Sequence, residues 1–174
     1  MAELMARMAE IAVSRHEGDV LVALGLGSCI GVALLDRASL VAGLAHVVLP
    51  ESRPGSSTPG KFADTAVPEL VCQVTGLGAT KAWLHAVLVG GAQMFAGGGN
   101  GLAGLDLGAR NEAAVRVALD DAGVPVRAAA TGGGRGRTVR VRVGEARVTV
   151  KEAGGVELPL WQPASPADDL MEIA

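Results

Sequence analysis

The chain has 174 residues, with 18 acidic against 15 basic side chains for a net charge of −3, and 49% of it is hydrophobic. That size suits one domain with a substantial core, and the core must be aliphatic, since there are two Phe, two Trp and no Tyr. A mildly acidic, aromatic-poor chain lacks the basic footprint and stacking surfaces of a nucleic-acid binder, and no run of about eighteen apolar residues predicts a membrane span.

Residues 1–18 read as a short lead with Leu4, Met5, Met8 and Ile11 at helical spacing. The lead has no basic start, long apolar stretch or cleavage site of a secretory signal. Two cysteines, Cys29 and Cys72, without a CxxC spacing fit free thiols in a reducing cytoplasm rather than a disulfide framework. Three scattered histidines give no metal-ligand spacing, so neither metal nor other cofactor is expected.

From Asp19 the pattern turns strand-like. Apolar runs at 20–27, 30–35 and 40–48 predict three strands, with a turn at Asp36-Arg37-Ala38-Ser39. Residues 50–60 hold three Pro, two Gly and three Ser, which excludes regular structure and predicts a connector or a lid. Residues 61–75 predict a helix whose apolar face carries Ala63, Ala66, Val67, Leu70, Val71 and Val74; Pro68 must sit in its first turn or kink it. Cys72 reads as packing on that face. A strand follows at 83–89, with His85 in it as a core or edge residue, then a glycine-rich loop at 97–101 and a second helix at 108–122 capped by Gly123. Strands are predicted at 124–130, 138–143 and 147–151, the last two joined at Gly144-Glu145. The tail, 154–174, is expected to be loosely held. Helices flanked by strand clusters indicate an α+β fold: layered, largely antiparallel twisted sheets covered by two main helices. Arg135, Arg137, Arg140, Arg142 and Arg147 form a basic cluster that reads as the solvated face of a hairpin, or else as a docking patch for an acidic surface.

The stretch Leu24-Gly25-Leu26-Gly27-Ser28-Cys29-Ile30-Gly31 is the most informative. A dinucleotide-binding loop would need glycine where Ile30 stands, and a helix where a strand follows. As a nucleophile turn it places a thiol between two glycines, which allow a sharp turn and close approach of a substrate carbonyl. Alone, Cys29 reads first as a small buried hydrophobe, as most free cysteines are. A partner changes that. With Arg37-Ala38 as a two-residue hairpin loop, or with a four-residue loop in the same register, Cys29 faces His46 on the same side of the sheet. A three-residue loop would break the pairing. A thiol with an imidazole in reach is a nucleophile–base pair.

Leu24-Gly25-Leu26-Gly27-Ser28-Cys29, then Ala45-His46-Val47-Val48-Leu49-Pro50, resembles the CheD family. So do residues 61–66, Gly90-Gly91-Ala92 with Met94-Phe95, Gly108-Ala109-Arg110-Asn111 and Thr131-Gly132-Gly133. The resemblance implies a fold like that of the Cys–His toxin deamidases, with a deamidase domain over 19–153. It implies hydrolytic deamidation of glutamines on the cytoplasmic helices of methyl-accepting chemotaxis receptors through a Cys thioester, with Cys29 as nucleophile and His46 as base. It further implies a CheC-type phosphatase as partner. Gly27, Ser28 and Thr65 are supporting candidates. One position departs: where the family usually has threonine, six residues before the cysteine, this chain has Ala23. Alanine cannot orient an imidazole, so a backbone carbonyl, a water, or the hydroxyl of Ser28 or Thr65 must do so. An alternative is a weakly catalytic or non-catalytic regulator of such a phosphatase.

Overall fold

The computed structural model describes residues 1–94 and 106–164. The expected loop at 97–101 and the last part of the tail lie outside the described residues.

The chain runs through β1 (Glu3–Met5), β2 (Ile11–Ser14), β3 (Val20–Leu26), β4 (Ile30–Asp36), β5 (Val41–Val47), α1 (Ala63–Gly76), β6 (His85–Gly90), α2 (Leu107–Asp121), β7 (Val126–Thr131), β8 (Arg137–Arg142), β9 (Arg147–Glu152) and β10 (Glu157–Trp161). These form two mixed five-stranded sheets, β1-β3-β8-β9-β10 and β2-β5-β4-β6-β7. Among the strands of the described residues, β1 with β3 and β6 with β7 are the parallel pairs. The α+β, largely antiparallel expectation holds.

Strict alternation along β4 and β5 builds the layers. Ile30, Val32, Leu34, Val41, Ala45 and Val47 point to one core with Leu70, Val74, Val115 and Leu119 of the helices. The intervening residues Ala33, Leu35, Ala42 and Leu44 point to a second core with Leu21, Leu26, Val139 and Val141 of the first sheet. The second sheet is therefore buried on both faces, and its strands read as continuous apolar runs. No helix among the described residues is long and apolar enough to cross a membrane.

Three expectations change. Residues 1–18 are not helical: they place β1 on the first sheet and β2 on the second, because sheet edges needed strands and local spacing could not show that. The tail is held as far as β10, which pairs with β9. The β4–β5 hairpin closes two residues later than read: Asp36 faces Val41 across a four-residue turn. The Asp36 carboxylate accepts from Ala38 N–H at 2.9 Å, and Leu40 takes a left-handed φ of 54°. Side-chain capping of a turn by Asp and one left-handed residue favour this longer loop. Pro68 lies inside α1, beyond its first turn.

Three arginines of the basic cluster meet acidic partners nearby. Arg140 pairs with Glu157 at 3.4 Å, Arg147 with Glu145 at 3.3 Å and Arg135 with Glu152 at 4.0 Å. Arg137 instead donates to the carbonyls of Gly132 and Gly90.

Gly90, at the end of β6, has φ 116°, and a Cβ there would lie 2.2 Å from the carbonyl oxygen of Cys29. No rotamer change relieves a clash with backbone. Gly90→Ala is therefore expected to cost about 2 kcal/mol or more in urea unfolding. Gly123→Ala, at φ 71° with nothing within 4 Å, should cost only about 1 kcal/mol.

Candidate active site

The turn Gly27-Ser28-Cys29 joins β3 to β4 and is pinned to the loop after β6. Gly91 N–H donates to Cys29 O at 2.8 Å and Ala92 N–H to Gly27 O at 2.7 Å. The glycines make these approaches possible. A Cβ on Gly27 would lie 3.1 Å from Met94 Cγ, and one on Gly31 2.9 Å from Leu26 Cδ1. Cys29 keeps 9% of its surface exposed and packs in the core between the sheets.

His46 faces Gly31, not Cys29. The register is offset by two residues from the expectation, and an even offset preserves the face. Cys29, two residues before Gly31, and His46 both project between the sheets, as diagonal neighbours. Cys29 lies one residue beyond the last β4–β5 pair, and no hydrogen bond joins its thiol to the ring. Thiol and ring share a face, though they do not stand directly opposite.

The N-terminal segment holds His46. Where the chain crosses from β1 to β2, Ala9 N–H donates to His46 O and His46 N–H to Glu10 O, each at 3.0 Å. The ring Nδ1 lies 3.1 Å from Ala6 O. A carbonyl only accepts, so Nδ1 must carry the hydrogen. In the neutral ring Nε2 is then the lone-pair nitrogen, and it is buried without a hydrogen-bond partner. The orienting group is thus a backbone carbonyl, one of the substitutes expected for the missing threonine hydroxyl. Ala23 itself is fully buried among apolar neighbours.

Burial pushes the Cys29 thiol above its ordinary value, partly offset by hydrogen bonding with its own backbone N–H. Burial also pulls His46 below the ordinary imidazole range, opposed by the Ala6 carbonyl and the Glu10 charge. Both effects favour a neutral thiol and a neutral imidazole at neutral pH.

The other candidates separate. Ser28 contributes its carbonyl to the turn's anchoring. The Thr65 hydroxyl donates to Pro59 O at 2.6 Å and Phe62 O at 3.3 Å, which ties the Pro-rich loop to the start of α1 rather than orienting His46. Cys72 is exposed, not packed, and lines a cavity of about 930 Å³ between α1 and α2. His85 stacks edge-on against Trp161 beside a second cavity of about 610 Å³. Neither cavity includes Cys29 or His46. No group of three or more potential metal ligands occurs among the described residues.

Sequence reasoning missed Ala6, because its contribution is a backbone carbonyl with no side-chain signature. It also gave no role to Asn111, whose signal was present: a polar residue in the buried stripe Asn111, Val115, Leu119 at spacing four.

Residues 48–152 match the family described as CheD chemotactic sensory transduction. The chain is 41% identical over 148 residues to the chemoreceptor glutamine deamidase CheD of Thermotoga maritima, covering 85% of this chain and 90% of that one. It is 41% identical to a probable chemoreceptor glutamine deamidase CheD of Moorella thermoacetica, covering 87% of this chain and 92% of that one. It is 38% identical to the protein of the same description from Methanococcus vannielii, covering 88% and 97%. The match to the family over more than half the chain and these near-full-length relatives agree: the chain belongs to the CheD family.

Proposed function

We propose that this protein hydrolyses the side-chain amide of glutamines on chemoreceptor helices, with Cys29 as nucleophile and His46 as general base and acid. One observation carries the reading. The His46 ring has its Nδ1–H committed to Ala6 O and an unpartnered Nε2, on the same sheet face as the only cysteine in the core between the sheets.

The chemistry follows from that tautomer. Nε2 takes the thiol proton as sulfur attacks the amide carbon, and a tetrahedral intermediate forms. The proton on Nε2 passes to the amide nitrogen, the C–N bond breaks, ammonia leaves and a thioester remains. His46 then deprotonates water, which attacks the thioester carbonyl. Collapse releases glutamate and returns the proton to sulfur. The imidazolium formed in each half-reaction is stabilised through Nδ1–H by Ala6 O, the role an acceptor behind the ring plays in such dyads. Burial disfavours that charge, so the carbonyl offsets part of the cost.

Sequence similarity to proteins named as chemoreceptor deamidases supports the substrate. A second reading, regulation of a CheC-type phosphatase with weak catalysis, is favoured by Ala23, which lacks a hydroxyl.

Ammonia release from purified chemoreceptor should fall roughly 10³-fold or more in Cys29→Ala and in His46→Ala. Wild-type rates in Cys29→Ala would remove the enzymatic reading. In a Cys72→Ser background, alkylation of Cys29 by iodoacetamide should keep rising with pH beyond the ordinary thiol range, because burial raises the thiol. A pH-independent rate through neutrality would mean a resting thiolate and contradict the neutral pair. Since Ala6 already orients the ring, Ala23→Thr should change kcat by less than about threefold, under about 0.7 kcal/mol of barrier. A gain above about tenfold would identify an attenuated enzyme and favour the regulatory reading.

A further inference from the structure

We propose that Asn111 of α2 is a positioning residue, which clamps the turn carrying Cys29 to the end of the strand carrying His46; this rests on reading those two as the reacting pair. Asn111 is fully buried. Its Nδ2 donates to Ser28 O at 2.9 Å and to Val48 O at 2.9 Å. Ser28 immediately precedes Cys29, and Val48 lies two residues beyond His46.

The location explains why a side chain is needed. Pairing of β4 with β5 ends at Ile30 and Val47. Beyond it the two strands part. The Cys29 turn follows the loop after β6, through Gly91 N–H and Ala92 N–H. Residues 48 and 49 turn the other way, and both donate their N–H groups to Lys61 O. Between the parted strands stand two carbonyls that no ladder reaches, and buried carbonyls need donors. One carboxamide NH2 has two hydrogens, one for each. The amide orientation is unambiguous, because its oxygen could not face two acceptors.

The Oδ1 atom is buried without a partner. That orphan is a cost which an apolar residue in the same stripe would avoid. The donors therefore outweigh it at this site. α2 is brought into reach by a close backbone approach: a Cβ on Gly108 would lie 2.3 Å from Gly91 O. The same loop thus locates Cys29 directly, through Gly91, and indirectly, through the helix that carries Asn111. Because Cys29 and His46 are diagonal rather than opposed, their separation depends on how far the parted strand ends spread. Asn111 sets that spread.

The test uses the whole chain, with Asn111→Leu removing the donors while keeping the number and branching of side-chain heavy atoms. Ammonia release from receptor should lose about 30-fold or more in kcat, with KM within about threefold of wild type. Val115→Ala, in the same buried stripe, should lower thermal stability while kcat stays within about twofold, which separates positioning from loss of fold. A second readout is coupling between the pair. In a Cys72→Ser background, the effect of His46→Ala on iodoacetamide alkylation of Cys29 should shrink at least about fivefold once Asn111 is leucine. If Asn111→Leu does not fold, Asn111→Ser decides: with one donor left, it should show an intermediate kcat and an intermediate coupling. Wild-type kcat and undiminished coupling in a folded Asn111 variant overturn the proposal. Wild-type activity in Cys29→Ala would instead show that the underlying dyad reading had failed.

Discussion

The structure turns on one hydrogen bond, from Nδ1–H of His46 to the carbonyl of Ala6. It decides which imidazole nitrogen carries the proton and which keeps the lone pair. A neutral ring with the opposite tautomer would turn a lone pair, not an N–H, toward the Ala6 carbonyl. The bond exists because the N-terminal segment passes from one sheet to the other across the end of β5. β1 extends the first sheet and β2 the second, and the crossing backbone between them meets His46 at its N–H, its carbonyl and its ring. The lead therefore packs directly against His46.

The same crossing is anchored at both ends by polar contacts. The Asp19 carboxylate accepts from the Ser14 hydroxyl at 2.7 Å and from Ala2 N–H at 3.2 Å. The Ser14 hydroxyl, the largest influence, holds this carboxyl below its ordinary range; burial, the next largest, opposes it, and Ala2 N–H and nearby positive charges add to the lowering. The β1 strand is further tied where Ala6 N–H donates to Val22 O at 2.8 Å. The acceptor behind His46 is a backbone atom, so its place depends on the path of the chain and not on the side chain at position 6. That is how a chain with Ala23, lacking the expected hydroxyl, still has an oriented ring.

Glycines control the opposite side of the pair. Gly90 and Gly108 both lie where a Cβ would run into backbone, at the Cys29 carbonyl and at Gly91 respectively. Close packing of main chain on main chain removes the slack that side chains could take up by changing rotamer. Cys29 is thereby placed by three neighbours: its own strand, the loop after β6 and, through Asn111, helix α2. Burial favours the neutral form of both the thiol and the ring.

Much of this was legible in the residues. The alternation of apolar runs, the Pro-rich loop and the two helical stripes determined the α+β layering, because burial periodicity is a local property. Strand parity determined that Cys29 and His46 share a face, since a shift by two leaves the face unchanged. The two-residue shift itself was not legible: it came from Asp36 capping a longer turn and Leu40 accepting a left-handed φ. Nor could sequence show that residues 1–14 supply edge strands to two sheets, or that Ala6 orients His46. Hydrogen bonds between backbone atoms distant in the chain leave no residue-specific trace, so tertiary structure alone decided which carbonyl stands behind the ring.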